Sequence, residues 1–240
     1  MKFIPSIHGC QRCGTCCRNG GPALHLADRL LVEQGLIHTR HLYTIRRGER
    51  AQDPIRGGLV RVGVDIIKVK GSGGSWACCF LDNDSNQCRI YENRPLECRE
   101  LACWDTSRLE RMYARDRLSR RDLLAGVDGL WELIVHHERR CDYDLVFSRR
   151  RDMTGSEAET VRLHVAEIIA FDAEIRRLMI SRGRLEPGML DFLLGRPVEQ
   201  VLRIGHSADA RPSNDKVKPE NGGAEFADQL FSKGIEGEGA

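Results

Sequence analysis

The apolar positions of the chain change period part-way along it. Over residues 59–69 they alternate or crowd as β-branched pairs, first in Leu59-Val60-Arg61-Val62-Gly63-Val64 and then in Ile66-Ile67-Lys68-Val69. Successive side chains of an extended chain point to opposite faces, so this pattern predicts strand. The expected form is a small hairpin or ribbon, ended by Gly71-Ser72-Gly73-Gly74-Ser75. From Thr106 the period lengthens. Leu109, Met112, Tyr113 and Leu118 recur at helical spacing, and Asp122 to Leu124 and Leu130 to Val135 continue in the same style. The strongest stripe runs from about Glu157 to Arg182, through Val161, Val165, Ile168, Ile169, Asp172, Ile175, Leu178 and Met179. Pro187 and Pro197 each predict the opening of a further short helix, because a first-turn proline gives up no needed N–H.

Ahead of the strands the pattern is weaker. Arg18-Asn19-Gly20-Gly21-Pro22 is a turn-forming break, after which Leu26, Leu30 and Leu31 mark one helical face with Gly35 as its stop. Residues 38–58 are polar and rich in Arg and Gly, which predicts loop or short irregular pieces. From about residue 205 the composition is Gly, Pro, Ser, Asn and charge with almost nothing to bury, so 205–240 is expected to be a disordered tail. No repeat at a solenoid period is visible.

Composition narrows the setting. A hydrophobic fraction of 41% and a formal net charge of +2 suit an ordinary globular chain, with no overall pull towards nucleic acid or membrane. No stretch approaches the roughly 18 apolar residues that span a bilayer. The start, Met1-Lys2-Phe3-Ile4-Pro5-Ser6-Ile7, lacks the apolar core of a signal peptide, so a cytoplasmic protein is expected. In that compartment 10 cysteines point to metal or redox chemistry rather than a disulfide framework. All but Cys141 lie before residue 104.

Their spacing carries the chemistry. Cys10-x-x-Cys13-Gly14-x-Cys16-Cys17 places four thiols within eight residues. A thiolate is a soft anionic ligand, and a two-residue spacer lets the backbone curl so that both sulfurs face one ion. The rest of the donors follow in Cys78-Cys79-Phe80-Leu81-Asp82, Cys88-Arg89-Ile90-Tyr91 and Arg94-Pro95-x-x-Cys98-Arg99. We read Cys10, Cys13, Cys16, Cys17, Cys78, Cys88 and Cys98 as metal ligands, and Cys79 and an isolated Cys141 as small buried hydrophobes. Two kinds of centre fit. The C-x₂-C-x₂-C run is the one with which bacterial ferredoxins hold three corners of a [4Fe–4S] cube, with Cys88 or Cys98 as a remote fourth ligand. Zinc would instead take two thiolates from each half in a closed tetrahedron. Adjacent Cys16 and Cys17 cannot easily serve one mononuclear ion, so either Cys17 belongs to a second site or the centre holds several metals.

With these residues in hand, the chain resembles the YkgJ-type cysteine-cluster family, described as chelating zinc or iron through a CxxCxxCC signature. The likeness spans residues 10–99 and rests on the first cysteine run together with Cys78-x-Phe80-Leu81-Asp82 and Cys88-x-Ile90-Tyr91-x-x-Arg94-Pro95-x-x-Cys98-Arg99. It implies metal or iron–sulfur binding and a further downstream cysteine, for which Cys103 and Cys141 are candidates. A flagellin lysine-N-methylase carries a similar cluster, so protein modification is an activity found alongside it. Gly71-Ser72-Gly73-Gly74, however, opens no helix that would make it a nucleotide loop. The sequence offers no nucleophile–base pair.

Other polar groups read as structural. Arg94 and Arg99 would offset the negative charge of a thiolate centre, Tyr91 and Ile90 would pack beneath it, and Pro95 would fix the backbone before Cys98. His136-His137 reads as a helix end that complements the dipole. Arg108, Arg111, Arg115, Arg117, Arg120 and Arg121 read as a solvated face, and nucleic-acid binding is not favoured because no aromatic platform accompanies them. The expected architecture is mainly α with a small β ribbon. One domain covers 1–204, irregular and metal-stapled over 1–104 and helical over 105–204.

Overall fold

The structure is a computed structural model and describes residues 10–151 and 158–209. It is mainly helical, with two small antiparallel ribbons in its first half. The first half carries α1 (Thr15–Arg18), α2 (Arg29–Glu33), β1 (Leu42–Ile45), β2 (Arg50–Gln52), β3 (Leu59–Arg61), β4 (Ile66–Val69) and α3 (Leu96–Glu100). The second half carries α4 (Ser107–Met112), α5 (Arg120–Leu123), α6 (Asp128–Arg140), α7 (Tyr143–Arg151), α8 (Ala158–Ser181), α9 (Leu190–Leu194) and α10 (Val198–Asp209).

The predicted strands form, but they do not pair with each other. β4 pairs with β1, from Leu42 opposite Val69 to Ile45 opposite Ile66, and β3 pairs with β2, from Arg50 opposite Arg61 to Gln52 opposite Leu59. Both partners come from the polar stretch read as loop. The reason is burial. Ile67 and Val69 need an apolar partner, and Leu42 supplies one opposite Val69; all three are fully or almost fully buried. Leu59 and Val60, by contrast, lie on a ribbon that stays largely exposed.

In the helical part, the long stripe becomes α8, and Pro187 opens a 3-10 turn at Pro187–Met189 that leads into α9. Pro197 immediately precedes α10, which continues to Asp209, past the expected domain edge. The remainder of the expected tail, 210–240, lies outside the described residues. The face predicted over Leu26 and Leu30 is not a core face. Both are exposed, and Leu24 is buried instead.

One apolar core runs through both halves. Leu24, Ile37, Leu42, Ile67, Val69, Cys78 and Phe80 pack with Leu118, Ile134, Met179, Phe192, Leu193 and Leu194. A smaller cluster joins Cys141, Tyr143 and Val146 to Ile168, Val198, Val201 and Leu202. α9 is the wedge between the halves, and its buried C-terminal carbonyls have no helical partners of their own. Side chains cap them. Thr44 Oγ1 donates to Phe192 O at 2.7 Å, Arg120 Nη1 to Leu193 O at 2.6 Å, and Arg176 Nη2 to Gly195 O at 2.7 Å. Arg120 is therefore a buried clamp and not part of a solvated arginine face, and Arg117 is also drawn inward to Glu97 at 3.0 Å. Arg108, Arg111, Arg115 and Arg121 do face solvent.

Candidate metal centre

The first cysteine run is shaped by a left-handed turn. Gly14 has φ +75° and N-caps α1, whose single turn carries Cys16 and Cys17. A Cβ at Gly14 would meet Arg18 Nη1 at 3.0 Å and Leu81 Cδ1 at 3.4 Å, so the turn is both conformationally and sterically suited to glycine. Arg18 ties the turn down by donating to Cys13 O at 2.9 Å and by a short hydrogen bond to Asn86 Oδ1. Thr15 Oγ1 lies 3.2 Å from Cys13 Sγ, and Arg12 N donates to Cys10 Sγ at 3.4 Å.

The second cysteine segment is joined to the first through backbone. Cys78 N donates to Cys17 O at 2.7 Å, and Cys79 N donates to Lys70 O at 3.0 Å. The chain then folds back on itself through an isolated bridge between Leu81 and Cys88. Asp82 Oδ1 holds the intervening loop by accepting from Asp84 N at 3.0 Å and Ser85 N at 2.9 Å. Tyr91 N donates to Cys88 O at 3.2 Å. The Tyr91 ring is covered by two guanidinium groups, Arg94 at 3.6 Å and Arg12 at 4.1 Å from its centroid. That stack brings the loop between Cys10 and Cys13 onto the segment that enters α3.

α3, capped by Pro95, presents Cys98. It is anchored from beneath by Glu97, which is buried and accepts from Ala23 N at 2.7 Å and Arg117 Nη1 at 3.0 Å, with His25 Nε2 at 3.3 Å. Asp28 Oδ1 accepts from Leu96 N at 2.8 Å. These contacts hold α3 against the 23–28 segment and Arg117 with no help from the thiols.

The seven predicted ligands therefore lie on segments that meet, and their thiols act on one another. The neighbouring Cys17 thiol pushes Cys16 down to about 6, and Cys17 is pushed up by the Cys16 thiol, by burial and by the charges of Cys16, Cys98 and Cys78. Burial and the charges of Cys78, Cys16, Glu97 and Cys88 push Cys98 well above the ordinary thiol range. Burial also raises Cys88. Cys78 is raised, first by its hydrogen bond with Cys79 and then by burial. Thiols gathered this way cannot all ionise beside one another unless a cation shares the space. The donor set thus fits a thiophilic metal, and these residues would hold it. Arg94 acts on both Cys16 and Cys88 and offsets part of the charge, as its place in the sequence suggested.

A different group of donors joins Cys141, a candidate from the sequence, to His137 beside it and to Asp172, which was not foreseen as a partner. His137, Cys141 and Asp172 are buried, with donor atoms all within 4.8 Å of one another. Their partners argue against a cation there. His137 Nε2 lies 2.7 Å from Asp172 Oδ1, and Asp172 also accepts from Arg176 Nε at 3.0 and 3.1 Å and from Val198 N at 3.0 Å. Arg46 Nη2 donates to Cys141 O at 3.0 Å, so two guanidinium groups already occupy the surroundings. The group is a polar joint between α6, α8 and the start of α10. His137 is accordingly a core residue rather than a dipole-complementing helix end. Asp172 in the middle of an apolar stripe was the sequence signal for it.

This joint has a pH signature. Burial, the largest influence on His137, holds it below the ordinary imidazole range, while Asp172 is held low because His137 and Arg176 outweigh its burial. Below about pH 6.5 the unfolded chain binds a proton at this position that the folded protein refuses. Stability should therefore fall as pH drops from there towards the folded-state value. A His137→Gln variant should flatten that part of the stability–pH curve, as read from urea unfolding between pH 8 and pH 5. An unchanged slope would remove His137 as its cause.

No curated protein and no solved structure matches the chain. Residues 9–117 match the family model CxxCxxCC, described as a "putative zinc- or iron-chelating domain".

Proposed function

We propose that the cysteine-rich part is a thiolate centre that holds an iron–sulfur cluster in preference to zinc, and that it serves in redox or sensing. The observation that carries this reading is the junction of Cys17 O with Cys78 N, which joins the C-x₂-C-x₂-C run to the second cysteine segment at Cys78. A closed zinc site needs four ligands and leaves the other thiols without a role. Iron–sulfur clusters take three thiolates from such a run and a remote fourth. Exposed Cys10 and Cys13 put one edge of the centre within reach of solvent or a partner, which suits electron exchange or the sensing of oxidants better than a purely structural staple. Purification without oxygen should give a brown protein with iron and acid-labile sulfide. A colourless protein with stoichiometric zinc and no sulfide, handled the same way, would overturn the preference for iron.

A further inference from the structure

Arg108, Arg111 and Arg115 are exposed, and all three line one cavity of about 480 Å³. Its other walls are His25, Leu96, Glu100, Met112 and Asp116. Leu96 and Glu100 stand one turn apart on α3, whose residues step about 100° around the axis, so Cys98 leaves from the opposite face. The cavity therefore lies across α3 from the thiols. Arg108 and Arg111, three residues apart on α4, share a face. Arg115 follows in the turn beyond, where its N donates to Met112 O at 2.9 Å and its own O lies 2.7 Å from His25 Nδ1. Leu26 N donates to Asp116 O at 2.7 Å and ties that turn to the segment of His25. The frame is thus held by main chain and His25, and the arginine side chains take no part in it.

The neighbouring acids have other partners. Glu110, the one acid of α4, accepts from Thr106 Oγ1 at 2.6 Å, Asp105 Oδ1 from Ser107 N at 3.0 Å, and buried Glu97 from Arg117 Nη1 at 3.0 Å. The guanidinium groups of Arg108, Arg111 and Arg115 make no hydrogen bond or ion pair with a described residue. Three like charges around one concave space attract an anion. We propose that this cavity binds a small phosphate monoester, its phosphate held by Arg108, Arg111 and Arg115 and its body lying on Leu96 and Met112. The volume is that of a small-molecule site. A guanidinium presents a planar fork of donors that matches phosphate and carboxylate oxygens. Three forks from separate positions suit the three terminal oxygens of a phosphate better than the two of a carboxylate. Glu100 and Asp116 repel a second anionic group, so the rest of the ligand presents hydroxyl or amino donors to them. His25 serves the frame, since Nδ1 meets Arg115 O and Nε2 lies 3.3 Å from Glu97 Oε1. Nothing in this site depends on the thiolate centre or its metal.

Calorimetric titration of the full chain at low ionic strength, with phenyl phosphate, inorganic phosphate, phthalate and phenol as probes, tests the assignment. Phenyl phosphate should saturate one site per chain with a Kd below about 1 mM, inorganic phosphate and phthalate should bind more weakly, and phenol should not bind. Arg108→Gln and Arg111→Gln should each weaken phenyl phosphate about tenfold, as the loss of a hydrogen bond to a charged group does. Arg182→Gln, exposed just past α8, should leave it unchanged. No saturation by about 10 mM phenyl phosphate, or unchanged affinity in both cavity variants, would overturn the site. Tighter binding of phthalate than of phenyl phosphate would overturn phosphate as its ligand. Equal affinity for phenyl phosphate and inorganic phosphate would overturn the apolar seat on Leu96 and Met112. The wild-type titrations need no variant to fold.

Discussion

Stripping the metal from the folded protein is expected to disorder residues 10–20 and 72–104 while the ribbons and α6–α10 persist. Metal–thiolate bonds of structural zinc sites contribute on the order of 10 kcal/mol, and binding of that size is coupled to folding. Residues 10–20 and 72–77 are short of other support, while Cys78, Phe80 and Leu81 give the rest of the second segment a partial hold on the core. α1 is one turn and buries no residue, the stretch from Ser72 to Trp76 is turn and bend, and Trp76 itself is exposed. The ribbon β1–β4 is differently placed. Leu42, Ile67 and Val69 share a core with Phe192, Leu193 and Leu194, and Thr44 caps α9, so this part of the first half is held by the helices. α3 should show intermediate behaviour, because Glu97 and Asp28 tie it down apart from the thiols. Hydrogen exchange on metal-loaded and chelated protein measures each segment. Equal protection over residues 10–20 and 72–104 in the two states would mean that the metal occupies a fold already formed.

That expectation is narrower than one drawn from the sequence, and the difference shows what was legible. The cysteine spacing was enough to mark out thiols whose segments do meet, because a two-residue spacer and a following glycine impose local geometry. The helix of the apolar stripe was legible for the same reason: its signal is local and repeats. Strand partners were not. Leu42-Tyr43-Thr44-Ile45 is a β-favouring run, but it is short and flanked by His and Arg, and only the burial of Ile67 and Val69 selects it as a partner. The shared core was hidden likewise, since nothing local says that Phe192 will pack on the strand of Thr44, 148 residues earlier. Buried charge was misread throughout. Arg120 and His137 sit in polar surroundings in the sequence, and their partners Asp65, Glu138 and Asp172 come from other elements.

Arg120 gives the second large effect. Its side chain is fully buried and spends its fork on three elements, with ion pairs to Asp65 ahead of β4 and to Glu138 on α6, and a hydrogen bond to Leu193 O on α9. Arg120→Ala removes the one cation shared by the two carboxylates and leaves the Leu193 carbonyl without its donor. Breaking a buried pair by taking away one partner costs about 3–5 kcal/mol, set by the charge left uncompensated rather than by the net worth of the pair. For a chain of this size that is a fall in melting temperature of about 10 °C. Arg120→Lys should recover only part of it, because an ammonium keeps the charge but cannot present the planar fork that reaches Asp65, Glu138 and Leu193 together. Urea unfolding of the three proteins at neutral pH is the measurement. Since Arg120 touches none of the cysteine segments, metal content per chain in the folded Arg120→Ala protein should stay at the wild-type level. A cost below about 1 kcal/mol would place the pairs in the range of exposed salt bridges and remove Arg120 as the clamp between ribbon and helices. A loss of metal alongside stability would instead show that the wedge of α9 also sets the position of the thiols.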